Sequence, residues 1–143
     1  MAPVMNAPLY TIEILRLAGS LPHPIELDRV DGSAQQRSRT CGSTVSTEVQ
    51  MDGGVVAGIS QHVSACAFGQ ASGALVAQHA SGRNRGEVAE AVAGLADWLD
   101  GRRDEPGGWG FVALAPARSR ISRHGAILLP LRALLAAIEE ATR

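Results

Sequence analysis

Two cysteines and four histidines are the residues whose chemistry could reach beyond packing. A thiolate binds soft metals and carries sulfur, and a neutral imidazole is a metal ligand. Cys66 opens the stretch Cys66-Ala67-Phe68-Gly69-Gln70-Ala71-Ser72-Gly73-Ala74-Leu75-Val76, whose composition predicts a helix running to about Ala80. Cys66 then sits at the first turn, where unpaired N–H groups and the helix dipole favour an anionic sulfur. A buried cysteine acting as a small hydrophobe is the other reading of that position. Gly69 and Gly73 each cost about 1 kcal/mol relative to alanine in a helix interior, so they predict a close approach by another element. Cys41 lies 25 positions earlier and follows Arg37 and Arg39. His23, His62, His79 and His124 supply bases, but neither cysteine sits in a nucleophile motif, so no hydrolase is indicated.

The elements that must position these residues follow from periodicity. Leu9, Ile12, Ile14, Leu15 and Leu17 predict a first helix that starts at Pro8 and is ended by Gly19 and Pro22. Pro22, Pro24 and Gly32 predict a connecting loop up to Gln36. Val45, Thr47, Val49 and Met51 alternate with polar residues and predict a half-buried strand. Asp52-Gly53-Gly54 is a hairpin signal. Val55, Ala57, Ile59 and Val63 continue as one face of a second strand. Cys41 precedes the first strand and Cys66 follows the second, so an antiparallel hairpin brings both to the same end of the sheet.

Val88, Val92, Leu95 and Leu99 form the buried stripe of a helix over 85–99, with Glu87, Glu90, Asp97 and Asp100 outward. A turn-rich loop follows over 102–110. Phe111 to Ala115 is a short apolar run, either strand or irregular. Arg118, Arg120 and Arg123 make the next segment basic. Ile127, Leu128, Leu131, Leu134, Leu135 and Ile138 predict a last helix, in which Pro130 is tolerable only near the first turn.

The 143 residues suit a single domain spanning 1–143. A hydrophobic fraction of 45% and a net charge of −1 argue against nucleic acid and membrane as partners. The absence of a basic-then-apolar start, with two widely spaced cysteines, predicts a cytoplasmic protein whose cysteines are thiols or ligands rather than a disulfide.

The order of motifs resembles the U-type iron–sulfur scaffold family, the NifU/IscU/SufU-like proteins, over nearly the whole chain. Leu9-Tyr10 matches that family's opening. Thr40-Cys41-Gly42-Ser43 matches its first ligand motif, and Ala65-Cys66-Ala67 with the small-residue helix matches the second. Arg123-His124-Gly125-Ala126-Ile127-Leu128-Leu129-Pro130-Leu131-Arg132-Ala133-Leu134 matches the third in frame. The third cysteine of the family falls on Ala126, and the aspartate of its Cys-Gly-Asp motif falls on Ser43. The turn after the first helix is only Leu21-Pro22-His23, and no Leu-Pro-Pro-Val-Lys segment is present. The long spacing from Cys66 to position 126 is like that of SufU-like members.

The resemblance implies an α+β fold, a small antiparallel sheet with helices packed on one face. It implies a scaffold or sulfur-accepting protein, not an enzyme, that works with a cysteine desulfurase and apo-protein acceptors. The cofactor-binding and metal residues it implies are Cys41 and Cys66, with His124 as the substitute third ligand, holding iron or a labile iron–sulfur cluster. A closed zinc or [2Fe–2S] site takes four ligands, so this set describes an open site completed by water, Ser43 or a partner. The same residues suit a zinc-binding sulfur-transfer adaptor. Ala126 and Ser43 favour a third reading, a metal-free interaction module of the assembly machinery.

Overall fold

The computed structural model describes residues 10–39 and 42–143. Helix α1 (Ile12–Gly19) leads into strand β1 (Gly32–Arg37), then β2 (Thr44–Asp52), β3 (Val55–Ser64), α2 (Ala67–His79) and α3 (Arg85–Leu99). A 3₁₀ segment (Phe111–Ser119) precedes the last helix, α4 (Ile121–Ala141). The three strands form one antiparallel sheet in the order β1-β2-β3. Helices α2 and α4 cover one face, α4 across β1 and β2 and α2 across β3, while α1 packs on α2 and α3 on α4. This is the α+β arrangement the sequence predicts.

The hairpin forms as its turn chemistry requires. Gly53 and Gly54 take φ of +61° and +82°, the positive pair a two-residue type I′ turn demands. One side-chain assignment on β3 is corrected. A bulge between Gln50 and Met51 pairs Gln50 with Gly58 and Met51 with Val56, leaving Ala57 as the extra residue. The inner face therefore changes phase, so Val56 is buried and Ala57 exposed, while Ile59 and Val63 do face the helices.

Strand β1 replaces the predicted loop over 32–36. Its inward residues, Gly32 and Ala34, are too small to signal a strand, and they are small because α4 lies directly on them. A Cβ at Gly32 would fall on the Ala137 carbonyl oxygen and within 2.7 Å of the Ala141 nitrogen. The outward residues Ser33, Gln35 and Arg37 are exposed, which leaves no apolar alternation to read.

Helix α3 has the predicted bounds because its start is chemically marked. Asn84 accepts from the Glu87 N–H and Glu87 accepts from the Asn84 N–H, a capping box. Helix α1 begins at Ile12, capped by Thr11 Oγ1 accepting from the Ile14 N–H. The Pro8 start and Leu9 lie outside the described residues. The run after Gly110 is neither strand nor irregular but 3₁₀ helix, and it extends to Ser119.

Helix α4 begins at Ile121, six residues before the first apolar position of its stripe, so Pro130 is mid-helix rather than in the first turn. A proline there removes one N–H and crowds the carbonyl four residues back, here Ala126. The helix continues with ten of its residues, Pro130 among them, buried in the core, and the fully buried Ser72 of α2 ties it down by donating its hydroxyl to the Ile127 carbonyl at 2.6 Å. With mean hydropathy of 1.4 over an 18-residue window, α4 is apolar and long enough for a bilayer. Ten of its residues are buried in the core, which accounts for that composition.

The hairpin end is held by charge. Arg29 pairs with Asp31 at 2.7 Å and with Asp52 at 3.0 Å, and Asp31 also accepts the Met51 N–H at 2.7 Å. The Arg29 guanidinium first, and the Met51 N–H second, hold the Asp31 carboxyl below its ordinary value. The stability this gives is present above the unfolded value of about 3.9 and is lost as pH falls through the depressed folded value. Asp31→Asn should therefore melt below wild type at neutral pH, with the gap closing in acid. Thermal melts at both conditions check this, and a gap that stays constant contradicts it.

Candidate metal and sulfur site

Strand β3 ends at Ser64, and Cys66 is the N-cap of α2, with φ −66° and ψ 175° and no capping bond from its side chain. The helix thus starts one residue later than predicted. Cys66 is half-buried against the core, and the free N–H groups of the first turn of α2 are beside it.

Gly69 makes this strand-to-helix turn possible. A Cβ there would come within 2.5 Å of the Ala65 Cβ and 3.3 Å of the Ala126 carbonyl oxygen. Ala65 therefore folds back onto the first turn of the helix, and Cys66 is the residue at the bend. Gly73, the other glycine, has Leu21 and Val63 atoms at 3.1 Å from where its Cβ would be. The small-residue crowding is real contact, against α4 at Gly69 and against the α1–β1 connection and β3 at Gly73. Tyr10 stacks on Phe68 with centroids 5.0 Å apart, closing the outer side of that turn.

Ala126 lies beside Gly69 and is 1% exposed. The position where the family resemblance places a third cysteine is thus next to the first turn after Cys66, but its side chain holds no metal.

His124 is half-buried, with Nε2 2.9 Å from the Arg118 carbonyl and 3.2 Å from that of Ala117. Carbonyl oxygens only accept, so Nε2 donates. Residues two apart on a helix point to different sides. With Ala126 against α2, His124 faces a groove lined by Leu99, Asp100, Gly101, Arg118, Ser119 and Ile121.

Cys41 lies outside the described residues, and with it the predicted closeness of Cys41 and Cys66. Its described flanks are at the Cys66 end of the sheet. Arg37 pairs with Thr44 and Thr44 with Ser64, and the Ser38 N–H donates to the Ser43 carbonyl at 2.8 Å. Among the described residues, no three His, Cys, Asp or Glu side chains cluster.

Three buried polar residues lie behind the site, and Thr47 among them is on the inward face that the alternation of β2 predicts. Ser72 bonds to α4 as described. Gln61, paired across the sheet with Thr47, donates its amide to the Gly73 carbonyl at 2.9 Å. Gln61 Oε1 and Thr47 Oγ1 are buried with no hydrogen-bond partner among the described residues. A polar residue on the inward phase of β3 was the available signal for Gln61. Ser72 carried none, since serine also suits a small-residue contact.

A solved structure, the N-terminal part of a nitrogen-fixing NifU-like protein from Brucella abortus, is 30% identical over 94% of each chain, with a TM-score of 0.87. The chain belongs to the NifU-like family. A second solved structure, from Fervidobacterium islandicum AW-1, is described as a putative iron–sulfur cluster assembly scaffold protein for the SUF system. It is 17% identical over 91% of this chain and 96% of that one, with a TM-score of 0.80. A third, a hypothetical protein solved at 2.3 Å, is 22% identical over 92% and 97%, with a TM-score of 0.77. The sequence matches no family model and no curated relative. The last two likenesses carry the fold alone.

Proposed function

We propose that this NifU-like chain is a scaffold and sulfur acceptor for iron–sulfur cluster assembly in the cytoplasm, not an enzyme. Cys41 and Cys66 hold iron or a labile cluster as cargo. His124 is the third ligand of this reading, and to join them its side chain must leave both the Arg118 carbonyl and the groove by Leu99 and Asp100. A cysteine desulfurase supplies sulfur, and apo-protein acceptors take the cargo away. In the transfer step, an acceptor thiolate attacks the outer sulfur of the donor persulfide. A new S–S bond forms at the acceptor, the donor S–S bond breaks, and its inner sulfur leaves as a thiolate. No external oxidant or reductant is needed.

The observation that carries this reading is Cys66 at the N-cap of α2, with Ala126 packed beside the following turn, in a fold so like a NifU-like relative. Elemental analysis of anaerobically purified protein tests it: iron with sulfide supports the scaffold. Zinc would favour the sulfur-transfer adaptor built on the same residues. The buried Ala126, a lost ligand, favours the metal-free interaction module, and protein that takes up no metal would establish it.

The two thiols have different roles. Cys66 is half-buried at a packed bend, so it is the better-held ligand. Cys41, which follows Arg37 and Arg39 in sequence, is the sulfur acceptor. Mass-resolved labelling should find Cys41 alkylated faster, and His124→Ala should lower metal content while leaving sulfur acceptance at Cys41 intact. Faster labelling at Cys66 would reverse the roles. Unchanged metal in His124→Ala would remove that histidine from the ligand set.

A further inference from the structure

Strand β1 is an edge of the sheet, since the order β1-β2-β3 leaves it one neighbour. The Ser38 N–H donates to the Ser43 carbonyl, which fixes the phase of the ladder. Even-numbered residues of β1 bond to β2, and the N–H and C=O groups of Ser33, Gln35 and Arg37 point away from it. The Ser33 N–H agrees with this phase, because it donates at 3.1 Å to Glu140 Oε1 of α4 rather than to β2. Among the described residues no strand pairs with that side of β1.

Helix α4 flanks this open edge and runs antiparallel to β1. Ala137 and Ala141 lie on Gly32, whereas Leu129 and Ala133 lie on Val45, the partner of Gln36. Glu140, bonded to Ser33, marks the side of the helix next to the edge. Ala136 and Arg132 come four and eight residues before it, so they continue that side as a stripe. Arg132 is exposed, Ala136 and Glu140 are half-buried, and neither charge belongs to an ion pair among the described residues. The stripe reads base, small residue, acid. Laid antiparallel against its own copy, it sets base on acid twice, with the two alanines between.

We propose that the free edge of β1 and this stripe dock a second copy of the chain about a two-fold axis near Gln35 and Ala136. The two β1 strands pair antiparallel. Gln35 of each copy exchanges both backbone bonds with Gln35 of the other, and each Arg37 N–H donates to the Ser33 carbonyl of the other. The Ser33 N–H keeps Glu140 Oε1, and the second carboxylate oxygen takes Arg132 of the other copy. A closed two-fold pair uses up both edges, which would otherwise invite open-ended association. An unrelated extended peptide would match the edge alone, whereas a second copy matches the stripe as well. The Arg37 end of β1 shares a row with Ser64, just before Cys66. The antiparallel pair therefore points its two Cys66 ends in opposite directions, and each copy keeps its own site. The pairing does not depend on the scaffold reading.

Sedimentation of the full chain tests it. A short strand and two charge pairs make a small interface, so the chain should be mostly dimeric only near about 100 μM at about 50 mM salt. Raising salt to about 500 mM should weaken pairing roughly tenfold. Arg132→Glu and Glu140→Arg each set like charges opposite one another and should each weaken it roughly tenfold or more. Mixed with each other, the two variants recover both charge pairs, so the mixture should associate roughly tenfold more tightly than either variant alone. In wild type, the Gln35 amide should exchange with solvent more slowly in concentrated than in dilute solution. A chain that stays monomeric, a dimer untouched by salt or by either substitution, a mixture no tighter than its components, or Gln35 exchange that ignores concentration would each overturn the proposal.

Discussion

Gly32→Ala is expected to lower stability by about 3 kcal/mol or more, at the upper end of what overpacking costs. The added methyl would land on the Ala137 carbonyl and against Ala141, and both obstacles include backbone of α4. A flexible side chain could swing aside, whereas a helix must move as a unit and would lift off β1 and β2. Replacing glycine with alanine also stiffens the unfolded chain, but that gain is about 1 kcal/mol at most. Gly73→Leu, whose Cβ alone would come within 3.1 Å of Leu21 and Val63 side-chain atoms that can shift, should cost roughly 1–3 kcal/mol. Denaturant unfolding of both variants checks these values. A Gly32→Ala protein as stable as wild type would mean that α4 does not rest on β1.

Ala126→Cys is the largest expected gain of function. Ala126 adjoins Gly69, the first-turn residue three positions after Cys66, so a thiol there would stand where the family places its third ligand. Losing even an outer-shell partner of a metal changes affinity by about 10–100-fold, and a direct thiolate ligand should do at least as much. Ala126→Cys should therefore hold reconstituted metal against a chelator roughly tenfold longer than wild type. The larger side chain must fit a site that is 1% exposed, so a modest loss of stability should accompany the gain. Retention no better than wild type would mean that the third position no longer converges on the site.

Much of this fold is legible in the sequence where local chemistry is explicit. Asp52-Gly53-Gly54 dictates its turn, Asn84 with Glu87 marks the start of α3, and the small residues after Cys66 announce close packing. Strand β1 is illegible because its signal is a partner's shape: Gly32 and Ala34 are small to admit α4, and nothing local says so. Pro130 misleads in the opposite direction, since it sits mid-helix in a helix held by burial in the core, which no local signal shows. In the site, Ala126 lies beside Gly69 in the first turn of α2, a contact that depends on how α4 crosses α2 and that no local pattern gives. The tie of His124 to the Arg118 carbonyl depends on the 3₁₀ segment packing against α4, which no spacing rule reveals. Thr47 falls on the inward face that the alternation of β2 predicts, whereas its pairing with Gln61 follows from the strand register, which the sequence does not state.

The most direct measurement is anaerobic reconstitution with iron and sulfide, followed by ultraviolet–visible spectra and metal counting, on wild type beside Cys66→Ser. Wild type should show charge-transfer absorption and bound iron, released readily to a chelator, and Cys66→Ser should lose both. A wild-type protein that binds neither iron nor sulfide, or a Cys66→Ser variant that binds both as well as wild type, would contradict the scaffold reading.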